Sequence, residues 1–319
     1  MDYSMSQIFM IVGFLAAAYS IVANDAIQTL GTFLSSNSKR PWWVLWLFAS
    51  SIMVAVIIYS WYQYSGDVSY GRLSKKFPVP ETFTWIHAVP PIIIIFLTRY
   101  GIPVSTTFLV LTVFAPGALS AILTKSLLGY AVAFVTGMIV YVLTSKIFES
   151  RFLQTSHERA PNYWVGLQWV STGFLWSQWL IQDLANIFVY MPTRQLNVTT
   201  MLGCVGLLVL VHGAIFYRRG GAIQVIVNEK TNTTDIRSAT VIDFIYALIL
   251  FFFKNLSNIP MSTTWVFLGL LAGRELAMAI RLNHRTKSGT MSLIFSDAFK
   301  AGIGLAISVA LALGLPALA

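Results

Sequence analysis

Long apolar stretches, separated by short polar segments, make up most of the chain. Each is about 20 residues or longer, which is the length of an α-helix that crosses the hydrocarbon core of a bilayer. We therefore predict an all-α polytopic membrane protein with about ten transmembrane segments. Their approximate bounds are 5–35, 42–62, 83–100, 105–124, 126–145, 164–190, 198–217, 239–257, 262–280 and 290–317.

Composition agrees with this class. Of the 319 residues, 56% are hydrophobic and only 10% are charged, and the mean hydropathy is +0.71. That leaves too little polar surface to cover a soluble globule of this size. The first apolar stretch has no basic region before it and continues beyond the polar pair Asn24 and Asp25. We therefore expect it to remain in the mature chain and not to act as a signal peptide.

The net charge of +9 would suit a nucleic-acid-binding protein, but the basic residues lie in short loops between the apolar stretches. If all ten segments cross, the loops on one side of the membrane hold 13 of the Lys and Arg residues and those on the other side hold 6. Because positively charged loops stay in the cytoplasm, we predict a plasma (inner) membrane protein with both termini extracytoplasmic and no nucleic-acid partner.

Two short motifs occur twice, in the same order and at nearly the same offset. Residues 102–107 read I-P-V-S-T-T and residues 259–264 read I-P-M-S-T-T, an offset of 157. Upstream of each, an aspartate stands among amide side chains; these are Asp25 and Asp183, an offset of 158. We interpret the chain as two homologous halves, 1–150 and 151–319, which together form one transmembrane domain.

The number of crossings in a half predicts how the halves are related. Pro103 breaks the helix between the third and fourth segments, so this pair is either two crossings or one re-entrant hairpin. The half then crosses five times or three, and the second half enters from the opposite side. This predicts two inverted repeats with broken or re-entrant helices at the midplane, the architecture of secondary transporters.

The Ser-Thr-Thr motif has the chemistry of an anion site. A proline two residues before it makes the serine an N-cap and directs unsatisfied N–H groups, and the positive end of a helix, into the protein. The hydroxyls add further donors, so two such clusters form a cradle for an oxyanion. The predicted anion-binding residues of the clusters are Ser105, Thr106, Thr107, Ser262, Thr263 and Thr264.

The aspartate motif predicts the complementary part of the site. An ionised aspartate inside a membrane is costly and marks a transport pathway or an ion site. A carboxylate beside an anion is tolerated if a cation lies between them or if the aspartate is protonated in step with transport. The conflict is also reduced if the anion carries a proton, which favours hydrogen phosphate over sulfate. We predict that Asn24, Asp25, Gln182 and Asp183 bind a coupling cation such as Na⁺, and that Gln28 and Asn186 contact the anion.

At these residues the sequence resembles the inorganic phosphate transporters of the PiT type, whose signatures G-A-N-D-x-x-N-A and P-[IV]-S-T-T-H each occur once per inverted half. The first signature is matched at Asn24, Asp25, Asp183 and Asn186, and the second at 105–107 and 262–264. The resemblance implies phosphate uptake coupled to sodium or protons, with the anion held between the two Ser-Thr-Thr helices.

Several positions depart from the family's signatures. Val22 and Leu180 stand where the family has glycine. Gln28 and Gln182 replace asparagines, and Phe108 and Trp265 replace the two histidines. Without these histidines, a group that titrates near neutral pH is missing. Phosphate is the expected anion, sulfate or another anion on the same scaffold is the alternative, and the coupling ion is Na⁺ or H⁺.

Two other classes are weighed against a transporter. An anion channel would line its pore with the same cradle. An intramembrane enzyme such as a polyprenyl transferase needs several closely spaced carboxylates to hold magnesium, and each motif here has one. We expect no enzymatic activity and no cofactor beyond bound Na⁺. The expected partners are the anion, the coupling cation and the lipid bilayer, with a homodimer as an open alternative.

Arg274 and Glu275 are charges inside a predicted segment, twelve and thirteen residues after Ser262. They either reach the anion or the aspartates, or lie near a helix end and extend to the membrane interface, as such charges more often do. Both alternatives stay open at the level of the sequence.

Overall fold

The computed structural model describes residues 3–100, 104–155, 158, 160–221, 224, 235–256, 260–282 and 287–315. Within these residues every regular element is a helix. In chain order they are α1 (Tyr3–Ile21), α2 (Ile27–Ser36), α3 (Trp42–Gln63), α4 (Arg72–Lys76), α5 (Trp85–Arg99), α6 (Thr106–Phe114), α7 (Leu119–Thr144), α8 (Glu149–Gln154), α9 (Tyr163–Phe188), α10 (Val198–Tyr217), α11 (Ile236–Leu256), α12 (Thr263–Leu282) and α13 (Lys287–Gly314). A π-helical turn (Val22–Ala26) joins α1 to α2, and a 3-10 turn (Pro116–Ala118) joins α6 to α7.

Six helical stretches of the described chain are long and apolar enough to cross a bilayer. They are Met5–Ala26, Trp42–Gln63, Pro116–Thr144, Val198–Tyr217, Ile236–Leu256 and Gly289–Gly314. The predicted class, an all-α integral membrane protein, is thereby confirmed. The count of ten segments stays a prediction.

One predicted boundary is wrong in the first half. The expected segment 105–124 is not a single helix, because α6 ends at Phe114 and α7 begins at Leu119, ahead of the predicted start at 126. The break has a local cause in Pro116. A proline disfavours helical geometry at the residue before it, and Ala115 has φ −147° and ψ 79°. The second half has Gly273 at the corresponding position, and α12 continues to Leu282.

Contact between α12 and α7 depends on two glycines one turn apart. A Cβ atom at Gly269 would lie 2.4 Å from the carbonyl oxygen of Tyr130, and one at Gly273 would lie 2.1 Å from that of Phe134. Small residues at this spacing let two membrane helices pack backbone to backbone. The pair joins the N-terminal and C-terminal parts of the chain.

The order of helices recurs along the chain. Thr106 and Thr263, which begin α6 and α12, are 157 residues apart, and so are Arg99 and Leu256, which end α5 and α11. In the same way α3 corresponds to α10, and α9 corresponds to α1 and α2 together. This order supports the predicted duplication into 1–150 and 151–319, which stays a prediction.

Two arginines join pairs of loops that are far apart in the chain. Arg194, after α9, donates to the carbonyl oxygens of Phe77 and Pro78, which follow α4, at 2.9 Å each. Burial lowers the pKa of the Arg194 guanidinium to about 10, so it stays charged at neutral pH. Arg219, after α10, donates to the carbonyl of Ser38, after α2, at 3.1 Å. Each contact joins loops that the sequence assigns to the same side of the membrane.

Candidate functional site

The two predicted serine caps are confirmed. The N–H of Phe108 donates to Ser105 Oγ at the start of α6, and the N–H of Trp265 donates to Ser262 Oγ at the start of α12, both at 3.3 Å. Such caps stabilise a helix by about 1 kcal/mol and orient its first turn. The rings that stand where the PiT signature has histidine pack edge to face, 6.1 Å apart. Pro103 lies outside the described residues.

Asp25 lies in the π turn, where one extra residue per turn widens the helix, a feature frequent at functional sites. Its side chain is buried. Oδ1 accepts from Asn24 Nδ2 at 2.7 Å, and Oδ2 accepts from the hydroxyl of Thr106. The Thr264 hydroxyl also interacts with this carboxylate. Both carboxylate oxygens therefore have donors.

Asp183 lies in the regular helix α9, and its side chain is also buried. Oδ1 accepts from Asn186 Nδ2 at 2.8 Å and from Thr107 Oγ1 at 3.3 Å. The Thr263 hydroxyl interacts with the same carboxylate. The other oxygen, Oδ2, has no hydrogen-bond partner among the described residues.

The contacts between aspartates and threonines cross from one half to the other. Asp25 meets Thr106 of its own half and Thr264 of the other, whereas Asp183 meets Thr263 of its own half and Thr107 of the other. Two backbone contacts follow the same rule, since Thr107 donates to the carbonyl of Met261 and Thr264 to that of Val104, both at 3.4 Å. The chain thus brings both copies of both motifs into one buried cluster, in which the two carboxylates interact electrostatically.

The predicted amides of the first motif hold the cluster together. Gln28 Nε2 donates to Asn24 Oδ1 at 3.1 Å, and Asn24 Nδ2 also donates to the carbonyl of Val104 at 3.2 Å. In the second motif, Asn186 Nδ2 donates to both Thr106 and Thr107, at 3.1 and 3.2 Å.

Three buried oxygens of the second motif lack hydrogen-bond donors in the part of the chain that the structure describes. They are Gln182 Oε1, Asp183 Oδ2 and Asn186 Oδ1. An unsatisfied buried acceptor costs roughly 1–3 kcal/mol. Carboxylate and amide oxygens are also the ligands that hard cations prefer, so oxygen ligands of these types fit a cation such as Na⁺. No group of three or more His, Cys, Asp or Glu side chains suited to a metal occurs among the described residues.

Arg72 is a charged residue that the sequence analysis placed in a loop and did not connect with the site. It lies in α4 and is only 2% exposed. Its Nη1 donates to the carbonyl of Ile181 at 2.6 Å, whereas its Nε–H has no partner within the described chain. Burial lowers the pKa of Arg72 to about 10, an effect that the nearby Asp183 opposes, so the guanidinium stays protonated at neutral pH. A buried cation whose Nε–H has no partner among the described residues therefore lies near Asp183.

A second polar cluster, around Asp243, was not predicted from the sequence. Asp243, in α11, accepts from Thr32 Oγ1 at 2.6 Å and from Thr172 Oγ1 at 2.5 Å, and all three side chains are buried. The signal was present in the sequence, because Asp243 is an acid inside an apolar segment. It joins α2, α9 and α11, and its partner Thr172 lies eleven residues before Asp183 in α9.

Arg274 and Glu275 form a network of their own. Arg274 is buried, pairs with Glu275 at 2.8 Å and with Glu149 at 3.8 Å, and its guanidinium lies 5.4 Å from the centre of the Tyr141 ring. Arg274 therefore holds α12 against α7 and α8, and none of these contacts involves Asp25 or Asp183.

Fold and site together define a polytopic helical membrane protein with a buried centre of two carboxylates and two hydroxyl clusters. Among solved structures, the chain is similar to one described as "The sodium-dependent phosphate transporter", with a TM-score of 0.61 over 99% of this chain and 100% of that chain, at 16% sequence identity. The expected resemblance to phosphate transporters is thus confirmed at the level of the fold. No family model and no curated protein matches the sequence.

Proposed function

We propose that the chain is a secondary active transporter of an inorganic oxyanion, phosphate, coupled to Na⁺ or H⁺ by alternating access. The observation that carries this proposal is the crossed cluster, in which each aspartate meets one threonine from each half. A site at the junction of two halves becomes accessible from either side when the halves rock against each other. The transporter fold of the neighbouring structure supports the same function.

The anion would be bound by hydroxyls, helix N-termini and one guanidinium. In the present arrangement the hydroxyls of Thr106 and Thr107 donate to carboxylates. Rotation of these hydroxyls would redirect their protons to an anion placed between α6 and α12, where backbone N–H groups and helix dipoles also favour negative charge. The unpartnered Nε–H of Arg72 supplies a charged donor, which is the stronger kind.

The coupling cation would be bound beside Asp183. Three oxygens there lack donors, namely Gln182 Oε1, Asp183 Oδ2 and Asn186 Oδ1. A cation at this point would satisfy them and screen the aspartate from the anion. Asp25 would instead accept a hydrogen bond from the O–H of hydrogen phosphate, and this contact disfavours sulfate because fully ionised sulfate has no hydrogen to donate.

The membrane arrangement belongs to the same proposal. Ten segments in two inverted repeats would bring both motifs to the midplane, with α5 and α6 as a re-entrant hairpin because they have only 15 and 9 residues. The contacts of Arg194 with Phe77 and of Arg219 with Ser38 agree with this layout, because each joins loops that are predicted to lie on the same side of the membrane. The excess of Lys and Arg on one side would place both termini outside the cytoplasm.

The test is uptake of radiolabelled phosphate and radiolabelled sulfate into proteoliposomes, each under a sodium gradient, a proton gradient or no gradient. We expect saturable phosphate uptake that requires one of the two gradients, and exchange of external for internal phosphate at equilibrium. Sulfate uptake in place of phosphate uptake would show that the protein is a carrier whose substrate is sulfate. Flux that neither saturates nor shows counterflow would indicate a channel and overturn the proposal.

A further inference from the structure

A pocket of about 340 Å³ lies beside the carboxylate cluster and is separate from it. Its wall consists of the end of α1 with the π turn, the end of α5, and the turn that follows α10. Two arginines, Arg99 and Arg218, line it together with Ser20, Ala23 and Thr98. Nothing in the assignment of the transport site accounts for these two cations.

The pocket adjoins the site through two segments of chain. Ala23 directly precedes Asn24, which contacts the Asp25 carboxylate and the Val104 carbonyl. Arg99 ends α5, and Val104 lies only five residues further along the chain. The pocket wall at Ala23 is therefore two residues along the chain from Asp25.

The position of Arg99 requires water in this pocket. The helix α5 has 15 residues, which is about 22 Å at 1.5 Å per residue and shorter than the roughly 30 Å hydrocarbon core. In the proposed re-entrant hairpin its C-terminal arginine lies inside the core, where an unsolvated guanidinium costs several kcal/mol. Among the described residues neither Arg99 nor Arg218 forms an ion pair, and both side chains are exposed. Hydration, or a bound anion, removes this cost.

Thr98 also lines the pocket. Its side chain is 8% exposed, and its buried hydroxyl forms no hydrogen bond within the described chain. The two guanidinium groups make a donor set that suits the oxygens of phosphate or sulfate. The volume is ample for such an ion with some of its water.

We propose that this pocket is a second oxyanion site, a water-filled vestibule in which Arg99 and Arg218 hold inorganic phosphate or sulfate next to the carboxylate cluster. Arg218 directly follows α10, whose C-terminal loop the sequence assigns to the Lys- and Arg-rich side, so the vestibule serves the cytoplasmic end of the transport path. This role rests on the proposed transport function, whereas anion binding in the pocket does not.

The test labels a cysteine placed in the pocket. Thr98→Cys is made in a Cys204→Ala background and reconstituted in phosphatidylcholine vesicles, then exposed to a small anionic thiol reagent or a cationic one of similar size. We expect the anionic reagent to react about tenfold faster, because a cleft lined by one sign of charge concentrates the opposite ion. Inorganic phosphate should slow the labelling in a saturable way. Ile95→Cys, also in the wall, serves as a second probe if Thr98→Cys does not fold.

Charge variants test whether the two arginines cause the preference for the anionic reagent and the protection by phosphate. Arg99→Gln with Arg218→Gln should abolish both the preference for the anionic reagent and the protection by phosphate. Lys146→Gln is the matched control, because Lys146 is an exposed cation on the same predicted side and does not line the pocket. Equal effects of the control and the double variant would mean that general surface charge attracts the reagent, and would overturn the proposal.

Two further arms separate the possible failures. Adding Asp183→Asn should stop uptake and leave the protection by phosphate intact, so loss of transport alone does not count against the vestibule. Protection that depends on phosphatidylglycerol in the vesicles, and not on added phosphate or sulfate, would identify a lipid headgroup site and overturn the free-anion assignment. Absence of any protection at either probe would also overturn it.

Discussion

Asp25 and Asp183 occupy equivalent positions in two copies of one motif, but their hydrogen bonding differs. Both oxygens of Asp25 accept hydrogen bonds, from Asn24 and Thr106. At Asp183 only Oδ1 does so, and two neighbouring amide oxygens also lack donors within the described residues. The order of the amides accounts for part of this difference. Asn24 precedes its aspartate and donates to it, whereas Gln182, at the same place in the second motif, points to the carbonyl of Leu250.

The two aspartates also differ in backbone geometry. Asp25 lies in a π turn, and the equivalent part of α9 is regular α-helix. A duplicated motif therefore does not produce a symmetric site. The protein itself supplies donors to the first copy, whereas oxygens of the second copy lack them among the described residues. Under the proposed function, the cation would therefore bind chiefly at Asp183.

The largest effect is expected at Asp183. Replacement of Asp183 by Asn removes the charge and one ligand oxygen with little change in volume. We expect cation-driven phosphate uptake to fall by at least about 100-fold, since a lost charged interaction of roughly 3 kcal/mol corresponds to that factor. Uptake into proteoliposomes measures it, with circular dichroism to show that the variant is folded. Normal coupled uptake would remove Asp183 from the cation site.

Arg72 tests whether the anion is bound beside the second motif. Arg72→Gln should lower kcat/KM for phosphate by about 10- to 100-fold, because a charged donor contributes roughly 1.5–3 kcal/mol. The concentration of cation that gives half-maximal uptake should not rise. Arg72→Lys is the matched variant, and we expect it to recover part of the loss, since it keeps the charge without the fork of donors. An unchanged KM in both variants would place the anion elsewhere.

Asp25 tests the asymmetry directly. Asp25→Asn should raise the KM for phosphate about tenfold, equivalent to 1.4 kcal/mol, because an amide oxygen is a weaker acceptor than a carboxylate for the O–H of hydrogen phosphate. The dependence on the coupling cation should stay close to that of the unmodified protein. If Asp25→Asn and Asp183→Asn shift the cation dependence equally, the two halves bind the cation together and the comparison fails.

The last expected effect is on stability and concerns the packing of α7 against α12. Gly273→Ala should destabilise the protein by about 1–3 kcal/mol, a range typical of overpacking, because its Cβ would meet the Phe134 carbonyl at 2.1 Å. Gly206→Ala in α10 is the control, since nothing lies within 4 Å of a Cβ there. Thermal unfolding in detergent measures both. A Gly273→Ala variant as stable as its control would show that α7 and α12 separate at little cost.

Local signals in the sequence predicted the features that depend on neighbours along the chain. The membrane class follows from the length of the apolar stretches, and the two serine caps follow from a residue type that bonds an N–H three positions later. The break before Pro116 has an equally local cause. The predicted boundary at 124–126 was wrong because the length of the apolar stretch was given more weight than the proline. Asp243 was likewise visible as an isolated acid in an apolar segment.

The sequence by itself determined an all-helical membrane protein with two duplicated polar motifs, because hydrophobic length and helix capping act over a few residues. Only the tertiary structure decided which groups share a site. The contact of Thr32 with Asp243 joins residues 211 positions apart, and that of Arg72 with Ile181 joins residues 109 apart. Such pairs leave no periodic trace in the chain, since burial of a loop arginine depends on the packing of helices that come later in the sequence. The asymmetry between Asp25 and Asp183 arises in the same way, from donors that distant helices do or do not supply.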